Sequence, residues 1–382
     1  MTEQLVGELY RFELKFKEPA MTSRGTYLTH TVWYPVLKGQ GKFALGECAP
    51  LPDLSADFLA QGADEAARMA GYEQLVERSF ETLWRKLKLG EQPDFEQVRS
   101  YSSVRFGLEC LYQMYRAPTG NAALLWPSDF TRGKCDLPIN GLIWMGSFEE
   151  MAQRIACKLH EGYHCIKLKI GAIDFERELE LLRQLRGRFS PEELELRVDA
   201  NGAFAPAEVE AKLAALSQFS LHSIEQPIKA GQPELMAQLC AASPIAIGLD
   251  EELIGVNDRA DKATLLDTIK PHYLILKPSL HGGLGGCAEW MQLARARGIA
   301  YWVTSALESN LGLNALAQWC ATQDITMPQG LGTGLLYTNN LVSPLMIRAA
   351  QLHCDLSAVP DYAAYLAQFL AHQAQLVARF EA

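Results

Sequence analysis

At 382 residues, with 48% hydrophobic and 21% charged residues and a formal net charge of −10, the chain is long enough for two domains, or for one large barrel with additions. The acidic balance and the lack of a dense basic cluster argue against nucleic acid or a membrane surface as partner. Nine scattered cysteines without a Cys-x-x-Cys spacing, no signal-peptide core and no apolar run of about 18 residues point away from disulfides or a zinc site and towards a cytoplasmic protein.

Residues 8–47 read as strands. Polar and apolar residues alternate over 9–16, and shorter runs follow at 29–34 and 42–47. Between the first two lies Pro19-Ala20-Met21-Thr22-Ser23-Arg24-Gly25, poor in core-forming residues and expected as a mobile loop. Gly46-Glu47-Cys48-Ala49-Pro50-Leu51-Pro52 is a second loop. Helical spacing then dominates from 54 to 116, as over 72–87 and 101–115. Strands followed by helices predict a compact α+β domain over residues 1–118, ended by Pro118-Thr119-Gly120-Asn121.

From about 136 the pattern becomes a repeating strand–helix alternation. Strand candidates fall at 137–140, 165–170, 194–199, 223–226, 246–250, 273–277 and 300–304, with a degenerate one near 329–332. Amphipathic stretches such as 148–161, 175–186, 206–219 and 286–297 lie between them. This predicts a TIM-type (β/α) barrel over residues 135–340. A doubly wound open sheet is the alternative, but no Gly-x-Gly-x-x-Gly follows the first strand. The segment 341–382 carries a helical pattern over 362–379, expected to pack back on the N-terminal domain.

The charged residues in those strands carry the chemistry. Ile166-Lys167-Leu168-Lys169-Ile170-Gly171 alternates, so Lys167 and Lys169 point one way from a strand that should otherwise be buried. Asp199, Glu225 and Asp250 end the next three strands, each one strand–helix unit apart, and Lys277 ends the one after. Residues at strand C-termini converge on the rim where barrel enzymes keep their chemistry. Three carboxylates without a His or Cys partner match a hard cation, Mg²⁺ or also Mn²⁺. Taken singly, Asp199 or Asp250 would pass as a helix N-cap and Glu225 as a loop residue. Lysines on both sides of a bound cation suit a substrate carboxylate, with one lysine removing the proton α to it. A base lysine needs a lowered pKa, which Lys167 would supply to Lys169 by like-charge repulsion.

Lys-x-Lys, the Asp, Glu and Asp on successive strands, and the lysine on the sixth strand resemble the enolase superfamily over nearly the whole chain. That resemblance implies an enolase-like (β/α)7β TIM-type barrel, an α+β N-terminal capping domain and a C-terminal segment rejoining the cap. Gly46 to Pro52, Leu137-Pro138-Ile139-Asn140-Gly141-Leu142, Leu276-Lys277-Pro278-Ser279, Gly282-Gly283, residues 304–313 and Gly330-Leu331-Gly332-Thr333-Gly334 are similar, more narrowly, to the o-succinylbenzoate synthase family of menaquinone biosynthesis. The resemblance implies dehydration of a small-molecule carboxylate, 2-succinyl-6-hydroxy-2,4-cyclohexadiene-1-carboxylate. Lys169 would take the ring proton and then assist departure of the hydroxyl from the same face. Mg²⁺ on Asp199, Glu225 and Asp250 would hold the enediolate, and Lys277 would stabilise it from across the ring.

Donors around Ser305 and Ser309 are candidates to hold the succinyl carboxylate, although Ser309-Asn310 equally suits a helix cap. Asn201 supports the metal site or forms an Asx-turn. Arg24 and its loop are expected to close over the substrate, unless that loop has no role. Trp144, Trp290 and Trp319 are expected in the core and His281 in solvent. No subunit interface is read from the pattern. An N-acylamino acid racemase of the same superfamily is the nearest alternative, since Lys169 and Lys277 could serve opposite faces of a substrate. A dipeptide epimerase would carry Asp-x-Asp where Gly330 to Gly334 stand, and a mandelate-racemase-like enzyme would carry a His-Asp pair in place of Lys277. A non-catalytic barrel would have lost a ligand or a base, whereas all of these charged positions remain.

Overall fold

The computed structural model describes residues 4–22, 25–117, 121–171 and 173–381. Alternation builds the first sheet, in which β1 (Val6–Thr22), β2 (Gly25–Gly39) and β3 (Lys42–Leu45) run antiparallel. The expected loop between the first two strands is largely a continuation of the hairpin, paired through Ala20 with Tyr27 and Thr22 with Gly25. Arg24 lies outside the described residues. After a short α1 (Ala56–Leu59), α2 (Glu65–Lys88) buries Tyr72, Leu75, Val76, Phe80, Leu83, Trp84 and Leu87, a stripe at helical spacing. Helix α3 (Ser102–Arg116) completes this cap.

The alternating region follows in order: β4 (Leu137–Pro138), β5 (Gly141–Ile143), α4 (Phe148–His160), β6 (Cys165–Lys169), α5 (Phe175–Arg186), β7 (Glu195–Asp199), α6 (Val209–Leu216) and β8 (Ser223–Glu225). It continues through α7 (Pro233–Ala242), β9 (Ile247–Leu249), α8 (Arg259–Ile269), β10 (Tyr273–Leu276), α9 (Gly283–Arg295), β11 (Ala300–Val303) and α10 (Asn310–Cys320). Among the described residues, β5 to β11 form one parallel sheet of seven strands in sequence order. Gln329 bridges to Ile139 and Gly330 to Thr304, both parallel, so this short segment closes the barrel at the eighth position. The open-sheet alternative is excluded by that closure.

Two expectations need correction. The first strand, expected over 137–140, splits: Leu137–Pro138 turns outward to pair with residues 351 and 352, and the barrel strand begins at Ile139. After β12 (Leu345–Arg348) and β13 (Gln351–Cys354), α11 (Tyr362–Gln373) is shorter than expected. Its continuation is β14 (Gln375–Phe380), which joins the edge of the cap sheet beside β1. An unpaired edge and an aromatic pocket outweigh helix propensity there, for Phe380 packs against Phe80 at 5.6 Å and Trp84 at 5.8 Å.

The cap's second loop packs backbone against backbone. A Cβ at Gly46 would lie 1.9 Å from the Gly107 carbonyl oxygen, and one at Gly107 would lie 2.5 Å from Cys48 Sγ. Overpacking of this kind costs about 1–3 kcal/mol. Gly107→Ala is therefore expected to lower the unfolding midpoint in urea; a variant as stable as the parent would show that this contact can relax.

Candidate active site

Strand β6 is buried throughout, and its alternation sends Lys167 and Lys169 into the barrel while Ile166 and Leu168 pack in the hydrophobic core. In-register pairing sets Lys169 beside Asp199 and Asp199 beside Glu225. Asp250 directly follows β9 and Lys277 directly follows β10. Lys169 and Lys277 thus stand four positions apart in a ring of eight, on opposite sides of the barrel.

The six groups form one buried network. Lys167 Nζ donates to Glu225 Oε2 at 2.7 Å and to Asp199 Oδ2 at 3.1 Å. Lys169 Nζ donates to Asp199 Oδ2 at 3.0 Å and to Asn201 Oδ1 at 2.7 Å, while Lys277 pairs with Asp250. The lysines lie over the carboxylates. Among the described residues no three acidic, thiol or imidazole side chains stand in metal-ligand geometry, because each carboxylate turns to an ammonium. Glu225 Oε1 and Asp250 Oδ1 nevertheless accept no hydrogen bond, although both are buried.

Burial would raise the Asp199 pKa, but the flanking Lys167 and Lys169 hold it far below the ordinary carboxylate range. Asp250 is likewise desolvated yet lowered, chiefly by Lys277. Glu225 goes the other way, pushed well above its ordinary value by burial and by the adjacent Asp199. Lys167 is raised, since Asp199 and Glu225 outweigh its desolvation. It is thus a fixed counter-ion to two acids, which the like-charge expectation did not foresee.

Asn201 forms the expected Asx-type turn. At φ 45° its backbone N–H donates to Asp199 Oδ1 at 3.0 Å in an Asx-type turn, and its side chain holds Lys169 and donates to Glu251 at 3.0 Å. Ser305 lines the cavity above the lysines, with its hydroxyl donating to Glu308 at 2.5 Å. Ser309 does not reach the cavity. It caps α10, accepting from the Leu311 N–H, and gives its hydroxyl to Glu47, so the capping alternative is the correct one. The cavity is about 1100 Å³, with Lys167, Lys169 and Lys277 on its charged side and Tyr27, Leu51 and Leu54 reaching in from the cap.

A family model described as enolase C-terminal domain-like matches residues 150–357. The chain is 46% identical over 362 residues to an o-succinylbenzoate synthase of Desulfotalea psychrophila, covering 88% of this chain and 95% of the relative. The chain belongs to the o-succinylbenzoate synthase family of the enolase superfamily. The crystal structure of MenC from Desulfotalea psychrophila superposes with a TM-score of 0.76 at 41% identity, covering 92% of this chain and all of that one. The L-Ala-D/L-Glu epimerase of Bacillus subtilis shares the fold, with a TM-score of 0.74 at 17% identity over 93% of this chain and 96% of its own.

For a synthase-family site, three further residues stand out. Trp144, expected in the core, lines the cavity with its ring 5.9 Å from Lys169 Nζ. His281, expected in solvent, is fully buried and pushed down to about 3 by desolvation. Its Nδ1 accepts the Lys277 backbone N–H at 3.0 Å, which fixes the neutral tautomer with its proton on Nε2. Gln226, at φ 41°, accepts from the Asp250 and Glu252 N–H groups at 3.2 and 3.3 Å and so shapes the Asp250 turn. Only the position of Gln226, directly after an acid and before a proline, hinted at such a role.

Because the Glu225 pKa is raised on folding, its ionisation weakens the fold as pH rises above the ordinary glutamate value of about 4.3. Asp199 and Asp250, lowered on folding, contribute in full above about 3.9 and lose that contribution as pH falls further. In chelator at pH 8, Glu225→Gln, which cannot ionise, is expected to have a higher thermal midpoint than the parent. A lower thermal midpoint for the variant would contradict this charge assignment.

Proposed function

We propose that the chain catalyses the Mg²⁺-dependent syn dehydration of 2-succinyl-6-hydroxy-2,4-cyclohexadiene-1-carboxylate to o-succinylbenzoate in menaquinone biosynthesis, Mn²⁺ also serving. The observation that carries this reading is the Lys169–Asp199–Glu225–Asp250–Lys277 arc on consecutive barrel strands, in a chain matching almost the full length of a curated synthase. A cytoplasmic setting suits its nine unpaired cysteines.

The donor set fits a hard divalent cation. Asp199, Glu225 and Asp250 offer only carboxylate oxygens, and the two buried oxygens without hydrogen bonds have no other acceptor task. When bound, the cation neutralises the substrate's ring carboxylate, so that charge can grow there as the α-proton leaves. Lys169, steered by Asn201 and Asp199, takes that proton and returns it to the departing hydroxyl on the same face. Lys277, held by Asp250 on the opposite side, presents a fixed ammonium to the charge developing in the ring. Lys167 stays protonated between Asp199 and Glu225 and holds both acids in place by hydrogen bonds. Ser305, Ala306 and Leu307 line the cavity wall, but their hydroxyl and N–H donors are spent on Glu308 and Ser305 within the turn, so they shape the wall beside the succinyl arm. Aromatisation of the ring supplies the driving force.

The opposed lysines also favour a second reading, proton exchange at an N-acylamino acid by a racemase of the superfamily. Over 183 residues the chain is 29% identical to an L-amino acid-D/L-Glu epimerase of Francisella philomiragia, which is 48% of this chain and 50% of that one.

With Mg²⁺ present, the diene absorbance of the cyclohexadiene carboxylate is expected to disappear with the parent protein. Lys169→Met should slow this by about 10³-fold. No turnover by a folded, metal-loaded parent would sink the synthase reading, and α-proton exchange of N-acylamino acids in D₂O would then test the racemase.

Metal binding has its own readout. Saturating Mg²⁺, at about 100 times its dissociation constant, should stabilise the chelator-treated protein by about 2.7 kcal/mol. Asp250→Asn is expected to abolish that thermal shift; a shift of parental size would remove Asp250 from the ligand set.

A further inference from the structure

Two acids outside the lysine network are buried together where cap meets barrel. Glu47, in the cap loop after β3, is 1% exposed, and Glu308, in the turn from β11 to α10, is fully buried. Glu47 accepts from Ser309 N at 2.7 Å, Ser309 Oγ at 2.5 Å and Gly312 N at 2.8 Å. Gly312 permits this approach, since a Cβ there would lie 2.9 Å from Glu47 Oε2. Glu308 accepts from Ser305 Oγ at 2.5 Å and Ala306 N at 2.8 Å with one oxygen, and from Ser279 Oγ at 2.5 Å with the other. Ser279 is two residues beyond Lys277, and Ser305 to Leu307 line the cavity. Between them Leu307 takes φ 70°, a conformation that costs a non-glycine residue and persists only where neighbours enforce it. Its carbonyl accepts the Tyr337 hydroxyl at 2.6 Å and lies 3.1 Å from His30 Nδ1.

We propose that Glu47 is a positioning residue for the reaction: through Ser309 and Glu308 it locks the β11–α10 turn and Ser279, and thereby sets both the cavity rim and Lys277. The inference rests on the synthase reading and adds a cap residue to it. The chain of contacts runs from Glu47 to Ser309, along the backbone to Glu308, and across to Ser279 in the neighbouring loop. Apart from the backbone step, each link is an N–H or O–H donated to a carboxylate oxygen, which keeps the geometry single. The acid facing Glu47 is Glu308; the other titratable groups around it are Tyr34 on β2, Cys48 beside it, Cys110 on α3, Tyr337, and Tyr362 on α11. Burial and these neighbours raise the Tyr and Cys groups, leaving them neutral at pH 7, while burial pushes Glu47 up to about 7. As pH falls through that value Glu47 gains a proton, one of its oxygens becomes a donor among donors, and the turn loosens.

The test compares Glu47→Gln, Ser279→Ala and the double variant in the Mg²⁺-loaded full chain, with the cyclohexadiene carboxylate as substrate. Each single change is expected to lower kcat by about tenfold with KM held within about threefold, and the double variant to be no slower than either. The acid-side step in kcat near pH 7 should vanish in Glu47→Gln. A folded Glu47→Gln protein within about twofold of the parent kcat, a multiplicative double variant, or an unchanged acid-side step would overturn the inference. Should Glu47→Gln not fold, Ser309→Ala removes one donor of three and is expected to lower kcat by about threefold; no loss there also overturns it. A parent without turnover would instead sink the synthase reading, which separates the two failures.

Discussion

Three lysines and three carboxylic acids share one buried space at the barrel's C-terminal end, and most of the structure serves to keep them there. Burying any one of these ions alone would cost several kcal/mol. Together they are tolerable because in-register parallel strands put Lys169, Asp199 and Glu225 side by side, and because Asp250 and Lys277 follow on the next two strands. A one-residue slip on any of these strands would turn a charge into the hydrophobic layer behind the sheet. The apolar residues of β6 to β10 therefore do more than fill the core. They fix which way the charges face.

The cap holds the site by a complementary device. It sends a carboxylate into the N-terminus of each of two successive barrel helices, where unpaired N–H groups and the helix dipole favour negative charge. Glu109 on α3 accepts from Leu284 N at 2.6 Å and Gly285 N at 3.2 Å at the start of α9, and Glu47 does the same at α10. The loops immediately before those helices carry Lys277 and Ser305. Gly283 takes φ 73°, a left-handed conformation that favours glycine, and a Cβ there would also crowd Glu109 Oε2 at 2.6 Å. A second apolar cluster, Leu51 with Leu280, Ala306 and Leu307, seals the same junction above the cavity. Docking of the cap and assembly of the rim are thus one event.

Much of this was legible in the chain because the chemistry falls at the ends of regularly spaced strands. Lys167, Lys169, Asp199, Glu225, Asp250 and Lys277 were found by that rule, and all six meet. Residues that act through loops were not. Ser309 looked like a substrate donor, but nothing local shows that Glu47, far away in sequence, consumes its hydroxyl. His281 passed for a solvated histidine because burial by a turn leaves no periodic mark. The tail beyond Gln373 kept a helical pattern, and only the free edge of β1 explains why it becomes a strand. In each case the deciding partner is distant in sequence.

The charge count bears on how such a site would work under the proposed reading. Three lysines face three carboxylates, and each lysine is within hydrogen-bonding reach of at least one acid. A divalent cation brings two positive charges that this network does not need. The cyclohexadiene substrate brings two carboxylates, which are too costly to desolvate against neutral walls. Each supplies what the other lacks, so under the proposed reading cation and dianion favour one another's binding. The lysines that hold Asp199 far below the ordinary carboxylate range also keep it anionic, and so an oxygen donor suited to that cation.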